Sequence, residues 1–535
     1  MQKTCSQCSS GFEISERFSA WLEKASPRFG EVKCLIPSPT LCPQCRQQRR
    51  LVWRNERTLY SRNCDQCKKS IIAAYPPDAR FPVYCYTCWW SDENDATKHG
   101  KEFDFSRSFF EQFSALVAKI PRLNLSNSKN ENSEYTNYTN SSKDCYLIFG
   151  NTEAEKCMYS WRVHNSLKCI DCAQMSHCRY CYSCVDCDNC YELFYSQNCQ
   201  NCNSSSYLYN CRGLSDCFMC CNLFNKQYCI FNEQYTKEEY EKKVKELMAD
   251  RVSAEKMFRE FILKFPRKAL QNINCENSRG DYLLNTRNCE DVFTAKECQD
   301  CQNVYLAEKA VDCVDCDIVG WPAEMCYECT STCAGATSNY FSSLCWGSNS
   351  IFYCDSSFYC QNLFGCVGVK KKQYCILNKQ YTKEEYEKLV PRIVEHMKTR
   401  GEWGEFFPVA LSPFAYNETI AQEHYPLSED EAHKNGFPWS SYQAPKIDAK
   451  EAVHCEVTGK PFRLVPAELE FYQQFGIPLP TKHPDVRHKE RMALRNPKKI
   501  FQRNCMKCKK EILTSYAPEK SEIVYCEECY LKETY

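Results

Sequence analysis

Hydrophobic and polar positions along this chain follow two different rhythms. Between Ser106 and Lys119, Phe109, Phe110, Phe113, Leu116 and Val117 recur at helical spacing and predict a helix. Thr236 with Glu239, and Thr382 with Glu385, have the spacing of a helix N-terminal capping box. Helices are therefore expected from about Lys237 into the 260s and from Lys383 towards Thr399. Between residues 145 and 375 the period changes. Short β-prone fragments (residues 146–149, 191–195 and 303–306) alternate with cysteines whose spacing favours multiples of three and runs of twelve. Cys145, Cys157, Cys169 and Cys181 form one such run; Cys178, Cys190 and Cys202, Cys187, Cys199 and Cys211, and Cys289, Cys301 and Cys313 form others. Asn or Asp often precedes the cysteine, as at Asp144, Asp171, Asn189, Asn201, Asp312 and Asp315. Short strands, polar bends and one small residue recurring each turn predict a narrow β-solenoid with cysteines stacked in interior ladders. The competing reading is a metal-cluster protein, because CxxC pairs abound (169/172, 178/181, 199/202, 298/301, 313/316, 326/329). Packing is favoured: so many thiolates would need heavy charge compensation, whereas neutral thiols are among the most buried side chains.

The chain repeats itself twice. Residues 37–88 align with 478–529 without a gap, and 21 of 52 positions are identical. The string from Gln234 to Lys242 recurs unchanged as Gln380 to Lys388, with cysteines corresponding upstream of each copy. The expected order is A–B–B′–A′ in a multidomain, mainly β protein with helical segments. Module A spans 1–104, a helix and Ser/Asn-rich connector 105–143, repeat region B 144–232, and a helical insert 233–273. B′ follows at 274–378, a helix at 379–403, a proline-containing strap at 404–453, and module A′ at 454–535. The Ser/Asn-rich stretch 124–143 reads as a linker or as the first turns of the next domain.

Composition narrows the possibilities. Hydrophobic residues make up 43% of the chain and aromatics 14%, enough to bury real cores and to exclude a disordered metal sponge. Lys plus Arg equals Asp plus Glu at 68 each, so polyanion binding would need a local basic patch. There is no signal-peptide pattern and no apolar run of spanning length, which places the protein in the cytoplasm with no membrane partner. In a reducing compartment the 44 cysteines read as metal ligands or small buried hydrophobes; export would bring disulfides back.

The end modules carry the chemistry. Cys64, Cys67, Cys85 and Cys88 have the spacing of a four-cysteine structural zinc site, and Cys505, Cys508, Cys526 and Cys529 repeat it. Ile71, Ile72, Tyr75, Val83 and Tyr84 are expected to form a hairpin joining the two turns, with Pro76 and Pro77 at its bend. A third site is expected from Cys5, Cys8, Cys42 and Cys45, with the second pair opening a helix from Arg46 to Leu59 in a treble-clef-like order. Cys34 is left to the core. In A′ this third site is expected to be lost: Cys455 replaces Cys5, but Thr458 and Val486 stand where Cys8 and Cys45 would, and His483 replaces Cys42. A rearranged site would keep Cys455 and His483 as ligands, with His454 or His488 as substitutes. The count is about three zinc ions per chain.

Both modules also carry arginines at i, i+4 and i+8: Arg46, Arg50 and Arg54, and Arg487, Arg491 and Arg495. One helix face would hold three guanidinium groups, with Trp53, Tyr60 and Phe501 nearby as stacking partners for RNA bases. The alternative is intramolecular packing. No P-loop, dinucleotide fingerprint, nucleophile elbow or His-Glu-x-x-His motif is present, and no small-molecule substrate is evident.

The strings Leu41-Cys-Pro-Gln-Cys-Arg-Gln-Gln-Arg-Arg50, Arg54-Asn-Glu-Arg57, Cys455-Glu-Val-Thr-Gly-Lys-Pro-Phe462, Arg487-His-Lys-Glu-Arg491 and Val524-Tyr-Cys-Glu-Glu-Cys529 resemble a family of uncharacterised cysteine-rich bacterial proteins. The resemblance covers nearly the whole chain and implies zinc-ribbon ends; it brings no activity with it. The sequence thus predicts a non-catalytic, zinc-stabilised binding protein: a rigid central rod presenting two basic zinc modules to RNA or a ribonucleoprotein. A scaffold for protein partners is the alternative reading, and a thiol-redox or metal-handling protein the third.

Overall fold

In the computed structural model the cysteine-rich middle is a β-solenoid in which strands pair in parallel with the strand twelve residues further on. Trp161 lies beside Ala173, Ala173 beside Val185, Ser206 beside Phe218 and Asn349 beside Gln361. The structure describes residues 1–302, 337–443 and 452–534; between 303 and 336 it gives short strands and a few single residues. Asn303, Asp312, Cys313, Asp315, Cys316, Cys326 and Cys329 lie outside the described residues.

The period of three has a backbone cause. Every third residue of a turn is left-handed: Asp171, Gln174, His177, Tyr180, Ser183 and Asp186 all have φ between 52° and 55°. Each is a corner, and a twelve-residue turn with three residues per side has four of them. L-residues enter this conformation at a cost of roughly 1–2 kcal/mol, which Asn, Asp and Gly bear best. That is why Asn and Asp so often precede the cysteines. At the corners their side chains also stack, as in Asn189 Nδ2 to Asn201 Oδ1 at 2.6 Å and Asn210 Nδ2 to Asn222 Oδ1 at 2.8 Å.

The residue after each corner points inward. Cys172, Met175, Cys178, Cys181, Cys184 and Cys187 are at most 2% exposed. Only four side chains share the interior of a turn, so their volumes must balance. One turn holds Cys178, Cys181, Cys184 and Cys187; the next holds Cys190, Leu193, Ser196 and Cys199, and the one after holds Cys202, Ser205, Leu208 and Cys211. Each leucine is offset by a serine in its own turn. In the second solenoid Cys345, Ser348, Ile351 and Cys354 follow the same rule.

Cysteine also serves the backbone. Cys157 Sγ approaches the Glu155 and Ser166 carbonyls at 3.4 and 3.5 Å, and Cys184 Sγ those of Tyr182 and Leu193 at 3.4 and 3.2 Å. Serine at the same interior position makes the same contacts: Ser160 Oγ donates to the Met158 carbonyl at 2.8 Å and accepts from Cys172 N–H at 3.0 Å. A thiol facing two carbonyl oxygens acts as a donor to them. Burial pushes the thiols of Cys145, Cys184, Cys199, Cys211, Cys345 and Cys366 up, whereas hydrogen bonds from neighbouring cysteines outweigh burial at Cys187 and Cys202 and bring them to about 6 and about 4. Among the described residues the ladder thiols are buried, and no group of three or more metal ligands lies among them.

The stretch 124–143 is not a linker but the first turns of the solenoid, with Asn127–Ser128 paired to Thr139–Asn140. Its interior is polar: Thr136 and Thr139 hydroxyls lie 3.1 Å apart and Asn130 Nδ2 donates to Thr139 Oγ1 at 2.6 Å. The exact nine-residue repeat closes each solenoid at its other end. Cys229–Ile230 turns back on Glu233–Gln234 through Phe231 and Asn232, both left-handed, and Gln373–Ile376 does so on Lys379–Gln380 through Leu377 and Asn378. This hairpin covers an edge that would otherwise invite further strands. Helices with the expected capping boxes follow, Lys237–Leu247 and Lys383–Thr399. The predicted run into the 260s is two helices, because Asp250 caps a second one, Arg251–Ile262. The predicted helix at 106–119 is Phe109–Val117.

The chain divides into two compact units: Met1–Asn124 with Gln271–Tyr442, and Leu125–Leu270 with Gln443–Tyr535. Module A therefore shares a unit with B′, and A′ with B. This corrects the expectation of a central rod with separate end modules, since each module is part of one body with a solenoid. No helix among the described residues is long and apolar enough to cross a membrane.

Candidate metal centres

Each tetrad is assembled from two chain features. In the first module, Gln2–Thr4 pairs with Gly11–Glu13, and the turn between them carries Cys5 and Cys8. Cys42 is the N-cap of the helix Pro43–Leu51, which brings Cys45 into its first turn. Tyr60–Asn63 pairs with Ser70–Ala73 around Cys64 and Cys67, and Cys85 caps the helix Tyr86–Trp90 containing Cys88. In the last module Phe501–Asn504 pairs with Glu511–Thr514 around Cys505 and Cys508, and Cys526 and Cys529 begin the C-terminal helix. Left-handed residues shape the knuckles: Ser9 at φ 60°, Lys68 at 63° and Lys509 at 66°.

The hairpin expected between the two turns lies instead across the first turn of each tetrad. Val83–Tyr84 pairs in parallel with Arg122–Leu123, and Val524–Tyr525 with Arg267–Lys268. The helix expected from Arg46 to Leu59 stops at Leu51, after which the Asn55 side chain binds Thr58 N–H at 2.9 Å and the Ala74 carbonyl at 2.9 Å.

The four Sγ atoms of each tetrad lie within 4.8 Å of one another. Cys8 and Cys42 are 3.7 Å apart, Cys67 and Cys85 3.8 Å, and Cys508 and Cys526 3.8 Å. A tetrahedron with Zn–S bonds of about 2.3 Å has edges of about 3.8 Å. Backbone N–H groups point at the sulfurs: Cys85 N to Cys64 Sγ at 3.2 Å, Cys526 N to Cys505 Sγ at 3.3 Å. Burial resists ionisation of Cys64 and Cys505, yet the N–H groups around them outweigh it and bring Cys64 to about 7 and Cys505 to about 6. These sulfurs face donors, whereas most of the solenoid thiols face carbonyls. The donor set fits a divalent ion that takes thiolates, and such ions need this N–H support.

The degenerate site in A′ keeps the knuckle and loses the ligands. Cys455 N–H bonds the Lys460 carbonyl at 3.0 Å and Glu456 N–H the Thr481 carbonyl at 3.1 Å, as Cys5 does to Ser10 at 2.9 Å and Ser6 to Thr40 at 3.1 Å. His483 still caps its helix, but its ring accepts from Asp485 N–H at 3.1 Å. Among the described residues no metal group of three or more ligands includes Cys455, His483, His454 or His488.

The arginines are turned inward, against the expectation that they contact nucleic acid. Arg46, Arg50 and Arg54 are at most 2% exposed, and Arg487 and Arg491 at most 8%. Arg46 donates to the Leu41 carbonyl at 2.8 Å and Arg54 to Glu56 at 2.5 Å. Arg487 and Arg491, one turn apart, grip the single carboxylate of Asp171, the latter at 2.6 Å. Arg495 pairs with Asp186 at 2.9 Å. Asp171 and Asp186 are solenoid corners, so in the last module the i, i+4, i+8 face docks on the chain's own solenoid. Trp53 and Tyr60 are buried too. The arginine spacing was legible in the sequence, but nothing local pointed Arg487, Arg491 and Arg495 to acids some 300 residues away.

No protein-family model matches this chain, and no curated protein matches it.

Proposed function

We propose that this chain is a non-catalytic scaffold whose end modules are held by three structural zinc ions and whose surfaces bind protein partners. The observation that carries the reading is the tetrad geometry, three sets of thiols at zinc-tetrahedron spacing with backbone donors aimed at them. Two further facts support it. Most described solenoid thiols are buried and engaged with backbone carbonyls, which keeps them from solvent-borne substrates. The arginines that would have gripped RNA phosphates serve the fold instead. A second reading, contact with RNA or a ribonucleoprotein, rests on the exposed lysines Lys509 and Lys510 of the C-terminal knuckle.

The test has two arms. Elemental analysis of purified protein should give about three zinc per chain; a value near ten, or iron with visible absorbance, would refute the packed-ladder account. Capture from native lysate should retain specific protein partners after nuclease treatment. Loss of every partner on nuclease treatment would favour the RNA reading.

A further inference from the structure

The chain crosses between its two units after Asn124, after Leu270 and after Tyr442. The first two crossings are built alike. Each follows a Pro-Arg pair, Pro121-Arg122 and Pro266-Arg267, in corresponding places ahead of the two solenoids. In each, the strand opened by the arginine lies on a tetrad module in the same register. Arg122 is beside Val83 and Leu123 beside Tyr84; Arg267 is beside Val524 and Lys268 beside Tyr525. Val83-Tyr84 and Val524-Tyr525 lead directly into Cys85 and Cys526.

Backbone bonds hold these crossover strands from both sides. Arg122 N–H donates to the Pro82 carbonyl and Asn124 N–H to that of Tyr84, both at 2.9 Å, while the Asn124 carbonyl accepts from Ala74 N–H at 2.9 Å. Arg267 N–H donates to the Ile523 carbonyl at 2.7 Å and Ala269 N–H to that of Tyr525 at 3.0 Å. The Ala269 carbonyl accepts from Thr514 Oγ1 at 2.7 Å. Ala74 follows, and Thr514 ends, the hairpin around the other cysteine pair of its tetrad. Each crossover strand therefore lies between the two ribbons that one tetrad ties together. The arginine side chains add to the hold. Arg122 reaches Asp355 at 2.5 Å and Arg267 lies 3.6 Å from the Tyr209 ring centroid, leaving them 1% and 4% exposed. At the third crossing the chain runs on into residues outside the described ones.

We infer that the tetrads Cys64/Cys67/Cys85/Cys88 and Cys505/Cys508/Cys526/Cys529 are zinc-dependent clasps on these two crossovers, which free the crossover strand when the ion leaves. Four sulfurs gathered within 4.8 Å need the cation; without it thiolates repel one another and the two ribbons lose their tie. Solvent access makes the clasps responsive. Cys67 and Cys508 are exposed, and Cys85, Cys88, Cys526 and Cys529 are half-buried. In the first tetrad Cys5, Cys42 and Cys45 are buried. That tetrad ties the hairpin ending at Glu13 to Thr40 and the helix Pro43–Leu51, all within module A, so it serves as the internal control. This inference rests on the zinc reading of the tetrads and adds what two of the ions control.

The test is limited trypsin digestion of the full-length, zinc-loaded protein, with cleavage after Arg122, Arg267 and Lys268 followed by mass spectrometry. Zinc-loaded protein should resist at all three bonds. After brief EDTA treatment that removes two zinc ions, cleavage there should be roughly tenfold faster or more, as for segments that pass from a protected to a locally open state. Re-added zinc should restore resistance. Hydrogen exchange at the Asn124 and Ala269 amides supplies a second readout that needs no protease. Cys85→Ser should free the Arg122 crossover alone, Cys526→Ser the Arg267 crossover alone, and Cys8→Ser neither. Crossovers that stay protected after two zinc ions have left would overturn the inference and leave the zinc reading intact. So would release of both by Cys8→Ser, or cleavage that rises evenly along the chain, because zinc would then support the whole fold. Purified protein that holds no zinc would overturn this inference and the zinc reading together.

Discussion

Inside the solenoid a cysteine performs two tasks, both of which serine can share. It fills a position too small for leucine, and its proton gives the turn's backbone carbonyls a second donor. The volume rule makes a sharp prediction. Cys181→Leu should overpack its turn and destabilise the second unit by about 1–3 kcal/mol. Cys181→Leu with Cys184→Ser recreates the pattern Cys190, Leu193, Ser196, Cys199 of the next turn, and should recover most of the loss in thermal melts. A double variant no better than the single one would show that turn volume is not what the serines balance. The buried clamp on Asp171 is equally specific. Asp171→Ala leaves Arg487 and Arg491 buried without their carboxylate, at a cost of about 3–5 kcal/mol. Asp171→Ala combined with Arg487→Met and Arg491→Leu should restore stability, since apolar replacement of a buried ionic group is often neutral or better.

At the level of elements, chemistry divides the thiols into two populations. Tetrad sulfurs are approached by backbone N–H groups; solenoid sulfurs approach backbone carbonyls. Native, zinc-loaded protein should therefore show few thiols that react quickly with an aromatic disulfide, and many only after chelation plus denaturant. Many fast thiols without chelator, coupled to turnover of a disulfide substrate, would reinstate the redox reading. Cysteine spacing made the three tetrads legible, because two CxxC turns are a local feature. The partner strands were not legible: Arg122–Leu123 and Arg267–Lys268 join the ribbons through pairings with no local signature. Helix ends were blurred for a similar reason, since Asn55 and Asp250 stop or start helices through their own side-chain bonds.

For the whole molecule, the unexpected feature is the pairing of A with B′ and A′ with B. It makes each cysteine tetrad part of a solenoid-containing unit. Cys526→Ser should remove about one zinc, because a structural site of this kind is lost with one thiolate. Hydrogen exchange should then rise across 452–534 and along the solenoid face holding Asp171 and Asp186, while the first unit stays protected. Cys85→Ser should do the converse. Exchange confined to the tetrad alone would show that modules and solenoids fold independently, and a rise in both units would show that they are not separate.

By itself the sequence determined whatever depends on neighbours a few residues apart. The knuckles, the capping boxes at Thr236 and Thr382, the period of twelve and the Asn/Asp corners all follow from local backbone preferences, and the duplications doubled each signal. The cysteine columns were readable for the same reason, because a solenoid turns a fixed sequence interval into a contact. Tertiary structure alone decided which solenoid each module joins and which acids neutralise the arginines. Those outcomes depend on desolvation and charge pairing between residues hundreds of positions apart. A row of arginines at helical spacing looks the same in sequence whether it faces phosphates or Asp171; burial beside the carboxylate is what sets its role.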